Sequence, residues 1–187
     1  MVAIEDFKIY LSGGKSDGDA NNIPSSSLGG YRSAFMVRNG ILNNIFDEVA
    51  VKNAYNGYTD YRCLFIKNAN LTTDIVNLYL WISGKKVYEK ISFGVSIPNE
   101  NYVQLLQSSK DVPYGIQFYE AYTLGTKLKI KDTFTKNTMI ALWLKREIID
   151  FTTLKALPVN DTNYVVSRAN DIILKNASDL TFNFSWE

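Results

Sequence analysis

In an extended chain, successive side chains point to opposite faces, so an apolar residue at every second position commits a segment to a strand with one face buried. That pattern recurs along this sequence. Phe7, Ile9 and Leu11 alternate with Lys8 and Tyr10 before Ser12-Gly13-Gly14 stops the run, and Val76, Leu78, Leu80 and Ile82 share one face of residues 75–83. In residues 87–97, Val87, Ile91, Phe93, Val95 and Ile97 lie opposite Tyr88, Lys90, Ser92 and Ser96, and Pro98 ends the segment. This predicts a strand buried on one side. Residues 61–67 form a nearly continuous apolar run, and the turn-like connector 68–74 predicts that they pair with 75–83 as antiparallel neighbours.

Shorter strand-like pieces follow at 116–122, 128–130, 139–147, 164–166, 172–174 and 180–186. Helical spacing is confined to Ile41, Leu42, Ile45, Val49 and Ala50, which predicts one short helix over 41–54 closed by Asn56-Gly57. Roughly eight to ten short strands with at most one or two short helices predict an all-β fold. The expected form is an antiparallel β-sandwich of immunoglobulin-like or jelly-roll-like character.

The 187 residues fit a single domain over 1–187, with 46% hydrophobic and 21% charged residues in the range of folded proteins. Residues 13–30 are rich in Gly, Ser, Asp and Asn and read as a long surface loop, where contacts are often made. Lys and Arg number 20 against 19 Asp and Glu, and no basic run exceeds the Lys85-Lys86 and Lys145-Arg146 pairs. Nucleic acid is therefore not an expected partner. No stretch of about 18 apolar residues occurs, and residues 1–10 carry Glu5, Asp6 and Lys8, so neither a membrane span nor an export signal is expected.

The chain contains no histidine and one cysteine. Ser-His-Asp and Cys-His nucleophile systems, histidine metal ligands and multi-cysteine zinc sites are thereby excluded, as is an intrachain disulfide. Cys63 lies in the apolar run Cys63-Leu64-Phe65-Ile66, which predicts a buried thiol, with Arg62 on the opposite strand face. Asp17-Gly18-Asp19-Ala20-Asn21-Asn22 begins like a calcium loop. It lacks the glycine expected at 22 and the acid expected at 28, where Asn22 and Leu28 stand, and reads as a solvated turn. Gly13-Gly14 and Gly29-Gly30 read as tight turns, since no Lys-Ser or Lys-Thr follows as in a phosphate loop. Scattered acids such as Asp47, Glu48, Glu100, Asp111 and Glu120 form no spacing that sequence can pair, and Asn-x-Ser/Thr triplets at Asn70, Asn160, Asn176 and Asn183 are chance matches in an Asn-rich chain. No catalytic residue, cofactor or metal ligand is expected.

If Val76, Leu78, Leu80 and Ile82 face the core, Tyr79 and Trp81 face outward, and Trp143 likewise lies opposite Ile140, Leu142 and Leu144. Such aromatics suit a subunit interface or a sugar-stacking surface; otherwise the chain's own loops cover them.

Several segments taken in order carry a resemblance: Tyr10-Leu11-Ser12-Gly13-Gly14, Ser27-Leu28-Gly29-Gly30, Ile45-Phe46-Asp47-Glu48-Val49, 61–68 (Tyr-Arg-Cys-Leu-Phe-Ile-Lys-Asn), and Ala141-Leu142-Trp143-Leu144-Lys145-Arg146. Over about the first 150 residues the chain resembles a group of tailed-bacteriophage virion structural proteins. The resemblance implies a small β-rich, non-enzymatic protein at the capsid, neck or tail. It would assemble in the bacterial host cytoplasm with other virion proteins and copies of itself. It transfers no site residues, and residues 151–187 lie outside it as a segment specific to this chain. The rival expectation is a carbohydrate- or receptor-binding module of a phage fibre, whose partner would be a glycan.

Overall fold

The computed structural model describes residues 3–41, 43–49, 57–83, 89–99, 101–120, 127–148, 164–166, 172–174 and 180–186. The chain is all-β, and every named strand pair is antiparallel. Helix among the described residues is limited to two single 3-10 turns, Ile4–Asp6 and Pro24–Ser26.

The largest sheet has the order β1 (Phe7–Leu11), β3 (Tyr58–Asn68), β9 (Met139–Ile148), β5 (Glu89–Ser96) and β7 (Tyr119–Glu120). A three-stranded sheet has the order β12 (Thr181–Ser185), β4 (Ile75–Ser83) and β8 (Leu128–Phe134). Among the described residues there are also two short ribbons: β2 (Gly29–Tyr31) with β6 (Tyr102–Leu105), and β10 (Tyr164–Val166) with β11 (Ile172–Leu174).

One apolar cluster joins the two larger sheets. Ile9, Leu64, Ile66, Leu142, Leu144 and Phe93 come from the five-stranded sheet, and Ile75, Leu78, Leu80, Phe134 and Phe182 from the three-stranded one. Removing each such side chain from water contributes about 1.5–3 kcal/mol. The opposite face of the five-stranded sheet is buried as well. There Cys63, Phe65, Ala141 and Trp143 pack with Val103 and Leu106, with Leu28, Ile116 and Phe118 against them. A strand covered on both faces has no solvent side, which is why 61–67 reads as a nearly continuous apolar run.

Four local expectations are corrected. β3 does not pair with β4, because its two edges are taken by β1 and β9; the connector carries the chain from one sheet to the other. Asn68 Nδ2 donates to the carbonyls of Thr73 and Phe134 at that crossing. In β4 the buried positions are Ile75, Leu78, Leu80 and Ile82, and Val76 is exposed. Asn77 sits at φ 49 and the pairing with β8 slips beside it, so the alternation changes phase.

The one-sided burial expected for 87–97 gives way over 89–96 to a strand covered on both faces, with Ile91, Ser92, Phe93 and Gly94 all buried and Ile97 exposed, while Val87 and Tyr88 lie outside the described residues. A Cβ at Gly94 would overlap Ile116 and the Gln117 carbonyl, the segment that covers it. The expected helix is absent over 43–49, which is turn and bend with Asn43 at φ 54. Ile45, Phe46 and Val49 are instead anchors in the core, and residues 42 and 50–56 lie outside the described residues.

Candidate functional site

The structure separates the three aromatics that sequence grouped. Trp143 is 0% exposed, packed under the β2–β6 ribbon, and is therefore corrected from an interface residue to a core one. Its strand face is covered by the chain's own loops. Tyr79 and Trp81 do lie together on the outer face of the three-stranded sheet, each half-buried. Lys127 Nζ stands 4.9 Å from the Trp81 ring centre, and Tyr79 borders a shallow cleft of about 330 Å³ with Lys127, Ser185 and Trp186.

The motif segments converge inside the molecule. Ser12 Oγ donates to the Cys63 carbonyl at 2.8 Å and accepts from the Gly29 N–H at 3.0 Å, while the Gly13 N–H donates to the Gly29 carbonyl. The Cys63 N–H donates to Ser27 O, and Cys63 pairs with Trp143 across β3 and β9. Gly29 has φ +99, and a Cβ there would overlap the Gln104 carbonyl and touch Trp143, so glycine is required by conformation and by space. Burial pushes the Cys63 thiol far above its usual range, so it is held as an unreactive thiol. The buried thiol anticipated from its apolar run is found.

A second convergence is charged. Arg146 is fully buried and forms a two-point pair with Asp60, Nε to Oδ1 at 2.9 Å and Nη2 to Oδ2 at 2.8 Å. Its Nη1 donates to the Asp47 carbonyl and lies 3.7 Å from Glu89 Oε1. Arg62 Nη2 donates to the Asp47 carboxylate at 3.1 Å and Nη1 to the Tyr61 carbonyl. The Phe46 ring covers both guanidinium groups, at 4.6 and 5.5 Å from their centres. Burial beside Asp60 pushes the Tyr58 hydroxyl above its usual range. Asp60 has both oxygens engaged by a permanently charged arginine, so the group acts as a latch holding segment 44–49 on the sheet end.

The acidic loop is likewise internally engaged. Asp19 accepts the backbone N–H groups of Lys15 and Ala20, whose hydrogen bonds hold its carboxyl below the ordinary value; Asp17 pairs with Arg32 at 2.9 Å and accepts from Asn101. Among the described residues no group of three or more His, Cys, Asp or Glu side chains is placed to hold a metal ion. Residues 13–30, expected as a surface loop, turn inward at Gly14, Ser27, Gly29 and Gly30, which are buried.

Two exposed apolar features escaped the sequence reading. Beside β1, residues 33–37 run antiparallel with hydrogen bonds to Ile9 and Leu11, leaving Phe35 and Met36 exposed along a groove of about 470 Å³ floored by Phe7, Ile9 and Phe184. Elsewhere, Val112 and Tyr114 are 68% and 90% exposed at the tip of a loop between β6 and β7. The available signal was Val112-Pro113-Tyr114-Gly115, where a valine and a tyrosine alternate with the turn formers Pro and Gly.

No protein-family model, curated protein or solved structure matches the chain. No helix among the described residues is long and apolar enough to cross a membrane.

Proposed function

We propose that this chain is a structural component of a tailed-phage virion, capsid-, neck- or tail-associated, that acts by protein–protein assembly with copies of itself and other particle proteins. One observation carries the reading: the five segments behind the phage resemblance interlock, through Ser12, Ser27, Gly29, Cys63, Trp143 and the Arg62–Arg146 latch, in holding one β framework together. What those motifs have in common is architecture. The exposed surface offers apolar and aromatic groups of the kind that protein interfaces use.

A second reading, a carbohydrate- or receptor-binding module of a phage fibre, is favoured by the Tyr79–Trp81 face with its cleft at Lys127, Ser185 and Trp186. Aromatic rings beside a donor and a hydroxyl suit a sugar. Quantitative mass spectrometry of purified particles from an infection that produces the chain separates the two. A component of shell or tube is expected in tens to hundreds of copies, a receptor binder in a few at a distal end. Absence of the chain from purified particles would overturn both.

A further inference from the structure

The tip of the β6–β7 loop is held on both flanks. Gln104 Nε2 donates to the Tyr114 carbonyl at 2.9 Å, and the Tyr114 N–H donates to Gln104 Oε1 at 2.8 Å. Ser108 N–H is capped by Asp111, the Ser109 carbonyl accepts from the Tyr61 N–H, and Ile116 and Phe118 are packed against the second core cluster. A 90%-exposed tyrosine on so constrained a backbone loses little entropy when it enters a pocket, the condition under which tyrosine becomes an interface anchor.

The same chain carries a receiving surface. The Phe35–Met36 groove is lined by Phe7, Ile9 and Phe184 together with Lys8 and Arg38, whereas the charge next to the tip is Asp111; Lys110 is drawn to the Tyr58 ring, at 5.6 Å. The two features lie on different elements, the groove beside β1 and the tip bonded to Gln104 of β6. The groove flanks β1, and Gly115 lines a cleft with Phe93, Gly94 and Tyr119 of β5 and β7. β1 and β5 are three strand spacings apart, roughly 14 Å.

We infer that Tyr114 of one copy inserts into the Phe35–Met36 groove of a second copy, in a head-to-tail contact; the inference rests on the assembly reading above. A heterologous contact of this kind builds rings or filaments, because each pair keeps one free tip and one free groove. Lys8 and Arg38 face the Asp111 carboxylate across it, and a net charge of +1 opposes association little. The contact is small, so a dissociation constant of roughly micromolar order is expected for one pair.

Sedimentation of the full chain over a roughly hundredfold concentration range tests this, with Tyr114→Ala and Met36→Asp as exposed-site variants checked for an unchanged thermal transition. The wild type is expected to grow beyond a dimer, and each variant alone to weaken self-association by roughly tenfold or more. An equimolar mixture of the two variants retains one intact tip and one intact groove, and is expected to form a one-to-one dimer and nothing larger. A wild type that stays monomeric, a variant that alone associates like the wild type, or a mixture that fails to dimerise would overturn the contact. A monomeric wild type found in purified particles would leave the assembly reading standing through other partners.

Discussion

At the scale of single residues, the two exposed-face tryptophan candidates have opposite fates, and substitution separates them. Trp81 rests half-buried beneath Lys127, so Trp81→Ala is expected to leave the thermal transition of the isolated chain largely in place and to weaken assembly or ligand binding at that face. Loss of the transition would show that Trp81 is part of the core. Trp143→Ala removes a fully buried indole and is expected to cost about 3–5 kcal/mol in urea unfolding. The Arg146 latch gives a sharper test. Arg146→Met leaves Asp60 and Glu89 buried without its charge and is expected to cost about 3–5 kcal/mol, whereas removing Asp60 with it (R146M with D60L) should recover part of the loss. Equal destabilisation by the single and double variants would argue against a charge latch.

At the scale of elements, β12 shows how a strand far along the chain is held without a second strand beside it. Asn44 Nδ2 donates to the Leu180 carbonyl and Oδ1 accepts the Leu180 N–H, and Asn39 makes the same two-point contact with Phe182. Two side-chain amides thus imitate a neighbouring strand at alternate residues. Phe184 stacks on Phe7 at 4.8 Å and Trp186 lies 5.0 Å from the same ring, tying the strand to β1. Asn44→Ala orphans the buried Leu180 N–H, while the Leu180 carbonyl keeps the Gly40 N–H, at a cost of about 1–3 kcal/mol. Amide hydrogen exchange at Leu180 and Phe182 is expected to quicken while β3 stays protected; uniform loss of protection across β3 and β12 would contradict local clamping.

At the scale of the molecule, acid provides the global test. Backbone N–H groups hold Asp6, through Ala3, and Asp19, through Lys15, below the ordinary aspartate value of 3.8, and the Lys129 contact does so for Asp132. A carboxylate with a depressed folded value adds stability above the unfolded value and loses it as pH falls through the folded one. The thermal midpoint should therefore be level from neutrality to about pH 4 and fall below it. Asp19→Asn, which lacks the titrating group, should differ from the wild type most at neutral pH and least below the folded value. A difference that is constant across the range would rule out this linkage.

Alternation and turn residues sufficed to determine the class of fold and most strand positions, because period-2 burial is a property of a segment: β1 and β4 and the short strands at 164–166 and 172–174 lie where the pattern puts them. The buried Cys63 followed from its neighbours alone. Pairing did not, since β3 and β4 are adjacent in sequence yet lie in different sheets, and hydrogen-bond partners are chosen by whole-sheet packing. The same limit misplaced Trp143: alternation says which residues share a face, while the layer that covers a face arrives from elsewhere in the chain, here Val103, Leu106 and Ile116. The exposed Tyr114 and the Phe35–Met36 groove were hidden for the converse reason. Exposure of an apolar residue is set by what fails to cover it, and only the tertiary structure decides that.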